Sequence, residues 1–149
     1  DLNEILIKCS CLNDFYSTNI FLIFPIAKNI YDLHIDERLE NGDSTLVNDI
    51  AKVEISGRQK CFYSFASKYC SHHNAIKFPI YDYFVEKMLM YFKKKDKFLN
   101  FKKEDLKDYT KFRNVLMEFK RYYGIEKYNL RDIDKYLWIA GKEHFTRKY

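Results

Sequence analysis

Hydrophobic positions recur at helical spacing through most of the chain. Leu2, Ile5, Leu6 and Cys9 share one face and predict a helix over residues 2–11. Asn13 to Asn19 is polar and turn-like. Ile23, Ile26, Ala27, Ile30 and Leu33 form the next apolar face. Pro25 is tolerated only in a first turn, so this helix is expected to start near Phe24. Ile20 to Phe24 also admits a short strand, although no partner strand is evident.

Glu40-Asn41-Gly42-Asp43 reads as a turn, with Asp43 or Ser44 able to cap a helix that buries Leu46, Val47, Ile50 and Ala51. Ile55-Ser56-Gly57 breaks that pattern. Phe62, Phe65, Ala66, Tyr69 and Cys70 restore helical spacing, and His73-Asn74 ends it. Pro79 holds Phe78 extended. A further helix opens with Asp82 in its first turn, buries Phe84, Val85, Met88, Leu89 and Phe92, and ends in a lysine run. Leu106, Tyr109, Phe112, Leu116, Phe119 and Tyr123 predict one helix over 103–123, stopped by Gly124. The last helix begins at Asn129, with Asp132 placed as in a capping box and Leu130, Ile133, Leu137 and Ala140 behind it. The expectation is an all-α fold, one domain over residues 1–149, with about seven helices in an orthogonal or irregular bundle.

Composition supports that class. The 149 residues include 13 Tyr and 13 Phe but 4 Gly and 2 Pro. So few turn formers argue against a sandwich, a propeller or a collagen. An aromatic content of 18% argues against disorder. Cys9, Cys11, Cys61 and Cys70 contain no C-x-x-C pair and read as small apolar residues of a reducing compartment. No apolar run is long enough to span a bilayer, and a cytoplasmic protein without membrane contact is expected. The chain begins at Asp1 rather than Met, which predicts a preceding segment.

Charge is uneven. Residues 1–90 carry a net −3 and residues 91–149 a net +8. A basic half beside an acidic one is the pattern of a polyanion-facing surface, and equally of a lysine-rich solvated face. Lys93, Lys94, Lys95, Lys97, Lys102 and Lys103 alternate with Tyr91, Phe92, Phe98 and Phe101. Lysines can neutralise phosphates and exposed rings can stack on bases. The same rings can instead face the core.

Chemistry-bearing residues concentrate between Ser64 and Val85. Metal binding through Cys70, His72 and His73 is disfavoured, because adjacent histidines on a helix point about 100° apart. No metal and no cofactor are expected. Cys70 and His73 lie three apart and could meet on one face as nucleophile and base. Lys68 and Asp82 form the third candidate. A desolvated lysine loses its proton more easily and can form a Schiff base, and an aspartate nearby can stabilise developing positive charge.

Here the order of elements and the segment Phe78-Pro79-Ile80-Tyr81-Asp82-Tyr83-Phe84-Val85 resemble the helix-hairpin-helix DNA glycosylase superfamily, over roughly residues 43–90. The hairpin stretch carries a single glycine, Gly57. The resemblance implies a nucleic-acid-associated helical protein acting on double-stranded DNA, with or without retained base excision. It implies Lys68 as nucleophile and Asp82 as its electrostatic or acid–base partner, with Lys93, Lys94, Lys95, Lys97, Lys102 and Lys103 on the DNA. The alternative is a non-enzymatic helical module that binds protein partners through aromatic patches.

Overall fold

Aspartate and asparagine side chains set many of the element ends. A computed structural model describes residues 1–145 of the chain. The protein is all-α apart from one small hairpin: the described residues form eight α-helices, one 3-10 turn and two short strands. They divide into two compact units, Asp1–Asn74 and the residues from Ala75 onward.

In the first unit, α1 (Leu2–Phe15) starts where the Asp1 carboxylate accepts from the Asn3 and Glu4 amides. It runs past the expected end at residue 11, because Leu12 is still buried. Asn13 then organises the following loop. Its Oδ1 accepts from the Ile20 amide at 2.9 Å and its Nδ2 donates to the Ile20 carbonyl at 3.1 Å. Those bonds leave Ile20 in a loop rather than the admitted strand. Helix α2 (Ile23–Asp32) buries Ile26, Ala27 and Ile30 and packs on α1.

Helix α3 (Asp36–Asn41), not expected from the sequence, buries only Leu39 and ends on Gly42 in the left-handed conformation, φ 71°. Helix α4 (Leu46–Ala51) buries the four residues expected of it. Next comes the unexpected hairpin of β1 (Lys52–Ile55) and β2 (Arg58–Cys61), antiparallel, with Ile55 opposite Arg58. Its two-residue turn puts Ser56 at φ 52° and Gly57 at φ 72°, the pair of left-handed residues that a tight hairpin matching strand twist requires. Helix α5 (Tyr63–His73) is the most enclosed element of this unit, buried from Phe65 to Ser71 and packed on α4 and α1.

The second unit opens with buried Phe78, Pro79, Ile80 and Tyr81. Helix α6 (Tyr83–Asp96) follows, capped by Asp82, whose carboxylate accepts from the Phe84 amide at 2.9 Å. The expected helix over 103–123 is divided into a 3-10 turn (Lys103–Lys107) and α7 (Tyr109–Tyr122). The Asp108 side chain takes the Lys111 amide and restarts the helix there. The apolar stripe holds from Leu106 to Phe119, since Leu106, Tyr109, Phe112, Leu116 and Phe119 are all buried, whereas Tyr123 is half-buried just past the end of α7. Helix α8 (Leu130–His144) begins with the expected capping box of Asn129 and Asp132 and packs on α6 and α7. No helix among the described residues is long and apolar enough to cross a membrane.

Candidate nucleic-acid interface

The lysine run falls at the end of α6 and on the loop after it. Lys93, Lys94 and Lys95 occupy the last turn, where cations suit the helix dipole, and Lys97 caps the helix at φ 53°. The six lysines are not equivalent. Lys93 is half-buried: its ammonium donates to the Phe101 carbonyl and sits 5.2 Å from the Phe101 ring centroid. Lys103 Nζ lies 3.3 Å from Glu86 Oε1. Glu86 is itself buried and accepts from the Tyr81 hydroxyl. Those two lysines therefore have internal work. Lys94, Lys95, Lys97 and Lys102 are exposed, and among the described residues none of them is within ion-pair distance of a carboxylate.

The rings interleaved with this run face inward. Phe98 and Phe101 are buried, with Phe98 5.4 Å from Phe119 between centroids. Tyr91 is half-buried and packs against His144, with centroids 4.5 Å apart and ring planes at 53°. Exposed aromatic surface in this unit comes from elsewhere. A cleft of about 670 Å³ opens among α6, α7, α8 and the loop before α8. Phe119 and Ile133 are its buried lining, and Phe92, Tyr123 and Ile125 are half-buried. Tyr128 and Tyr136 are 44% and 52% exposed. Among the described residues, Asp132 and Lys135 bring the charged side chains of the lining. Sequence reading passed over Tyr128 and Tyr136, because neither lies in the lysine run or on an apolar stripe.

Lys68 and Asp82 belong to different units. Lys68 sits mid-helix in α5 at 8% exposure, with its ammonium 5.2 Å from the Tyr16 ring centroid. That is the geometry of a cation held against an aromatic face, with a stem lying in apolar surroundings. Asp82 is the cap of α6. Cys70 is fully buried, and desolvation pushes its thiol up to about 12, opposite to what an activated nucleophile needs. His72 and His73 are both exposed, with ring planes at 87°.

One buried carboxylate was not singled out from the sequence. Asp134, on α8, is 1% exposed and accepts from the Ile80 amide at 2.7 Å. It also accepts from the Arg131 guanidinium. Burial raises its carboxyl to about 7 against the pull of Arg131.

Residues 1–77 match the family model HI_0787_N, described as an N-terminal domain. The chain belongs to the HI_0787_N family. The match ends three residues beyond Asn74, so the family's model corresponds to the first unit. The chain is also 52% identical over 136 residues, 91% of its length, to an "Uncharacterized protein" of Haemophilus influenzae. That stretch is long enough to include most of both units. The chain spans 65% of that relative's length. No solved structure matches.

Proposed function

We propose that this HI_0787_N protein is a nucleic-acid-associated helical protein whose contact surface lies in the second unit. The observation that carries the reading is the set of four exposed lysines, Lys94, Lys95, Lys97 and Lys102, whose ammonium groups form no ion pair among the described residues, in a unit whose sequence is net +8. Cations without internal partners are the ones that can displace condensed counterions from a phosphate backbone. The resemblance to DNA glycosylases adds a finer proposal, base excision by Lys68 and Asp82. The placements of those residues favour association without excision, since Asp82 caps α6 and Lys68 holds its ammonium over Tyr16. A cytoplasmic location is part of the same reading, supported by four free thiols at Cys9, Cys11, Cys61 and Cys70.

Fluorescence anisotropy with labelled oligonucleotides tests the proposal. Four phosphate contacts correspond to a slope of log K against log salt of about −3.6. Binding that tightens steeply as salt is lowered is the expected result, and no binding at low salt overturns the reading. On abasic DNA with borohydride, no adduct dependent on Lys68 is expected. An adduct lost in Lys68→Ala would restore the excision proposal.

The second reading is a non-enzymatic protein-interaction module. Phe21 at 95% exposure and Phe15 at 77%, beside exposed Leu22 and Phe24, favour it for the first unit. It is the reading left standing if no nucleic acid binds.

A further inference from the structure

The aromatic cleft of the second unit is separate from the lysine run that carries the proposed function, although Phe92 of its lining lies on the helix that ends in that run. We infer that this cleft receives an unpaired base of a single strand, with Lys135 and Lys127 on the flanking phosphates. The inference rests on the nucleic-acid reading above and adds to it the state of the strand.

Three properties lead to this occupant. The first is the lining. Phe92, Phe119 and Tyr123 pack mutually at 4.6–5.6 Å between centroids, so the inner rings are held in place before any ligand arrives. Tyr128 and Tyr136 stand exposed, each offering a ring to a planar ligand. Every nucleobase has a π-face, and stacking on such rings is worth about 1–3 kcal/mol per base.

The second is charge. Lys135 is in the lining, and Lys127 Nζ lies 5.0 Å from the centroid of the Tyr128 ring. Among the described residues neither lysine is within ion-pair distance of a carboxylate. One cation over an exposed ring and a second in the lining can hold a backbone while its base stacks. Asp132 also lines the cleft, with Oδ2 accepting from the Asn129 amide at 3.2 Å. Its carboxylate can accept from the N–H edge of a base, a contact that a peptide's phenyl anchor cannot supply.

The third is access. At about 670 Å³ the cleft has the size of a small-ligand site and has room for one base and its sugar. In a duplex the base faces are already covered by their neighbours, so a base enters such a cleft only from an unpaired strand or after displacement.

The test uses the whole protein and three labelled 12-mers of one backbone chemistry (a single strand, the same strand with abasic positions, and its duplex), with an unlabelled competitor peptide rich in Glu and Phe. The single strand should bind about tenfold more tightly than the abasic strand and than the duplex. Tyr136→Ala should lose about tenfold on the single strand and nothing on the abasic strand, with the salt slope unchanged. Tyr136→Phe, which keeps the ring, should restore binding and excludes a folding defect. Equal affinity for the intact and abasic strands, or an unaffected Tyr136→Ala, overturns the inference while leaving phosphate-driven association intact. Absence of binding by every strand at low salt removes the underlying reading as well. Displacement of the single strand by the peptide at comparable affinity assigns the cleft to a protein partner and overturns the inference.

Discussion

Asp134 shows almost none of its surface to water, yet holds both the Ile80 amide and the Arg131 guanidinium. Its carboxyl sits at about 7, against an ordinary value of 3.8. The folded protein therefore keeps this proton over a pH range in which the unfolded chain has released it. The stabilising contribution is fully present below about pH 4 and is lost as pH rises to about 7. Three pKa units correspond to about 4 kcal/mol, an upper bound for a site that relaxes. Asp134→Asn keeps an oxygen acceptor for the Ile80 amide and does not ionise. Compared by urea unfolding, the variant should gain on the wild type between pH 4.5 and pH 8. A constant difference across that range would show that Asp134 titrates normally. The capping role of Asp132 was legible because its partner, Asn129, stands three residues away. The burial of Asp134 was not, because the Ile80 amide that it holds is 54 residues away in the chain, and its spacing of three from Arg131 fits an ordinary surface pair as well. The Glu86 cluster was hidden for the same reason: Lys103 and Lys107 reach it from another element.

At the level of elements, apolar periodicity located the long helices and failed where it had nothing to register. Helix α3 contributes one buried residue, and six residues with one apolar contact carry no period. Strand β2, Arg58-Gln59-Lys60-Cys61, is exposed throughout and shows no alternation, so the only sign of the hairpin was Ser56-Gly57, which was read as a breaker. The division at Asp108 escaped notice because a 3-10 turn and a helix can share one buried stripe. Packing of α6 on α8 was equally invisible, and it depends on Gly141. A Cβ at that position would stand 2.8 Å from Phe84 Cβ and 2.9 Å from the Phe84 carbonyl oxygen. Alanine normally improves a helix interior by about 1 kcal/mol over glycine. Here the obstacle is backbone, which cannot swing aside, and overpacking costs about 1–3 kcal/mol. Gly141→Ala should therefore lower stability by about 1–2 kcal/mol, read as a reduced urea midpoint at unchanged slope. A stabilised variant would mean that the helices do not approach so closely.

Across the whole molecule the two units differ in charge by as much as the halves divided at residue 90. Residues 1–74 carry 7 Lys+Arg and 10 Asp+Glu, a net −3, and residues 75–149 carry 19 and 11, a net +8. The family match covers the acidic unit, and the proposed contact surface lies in the basic one. Net charge alone draws a protein weakly to any polyanion, so the proposal needs a located surface rather than a total. Two triple variants separate these cases, because each removes the same three charges. Lys52, Arg58 and Lys60 are exposed on the hairpin of the first unit, while Lys94, Lys95 and Lys97 are exposed at the end of α6. If attraction were governed by net charge, both sets of alanine substitutions would weaken binding alike. With a contact surface at the end of α6, the hairpin variant should bind as the wild type does. The α6 variant should weaken, and its slope of log K against log salt should shrink by about 2.7, the contribution of three phosphate contacts. Equal losses in the two variants would reduce the +8 of the second unit to a solvated surface and leave the lysine run without a function of its own.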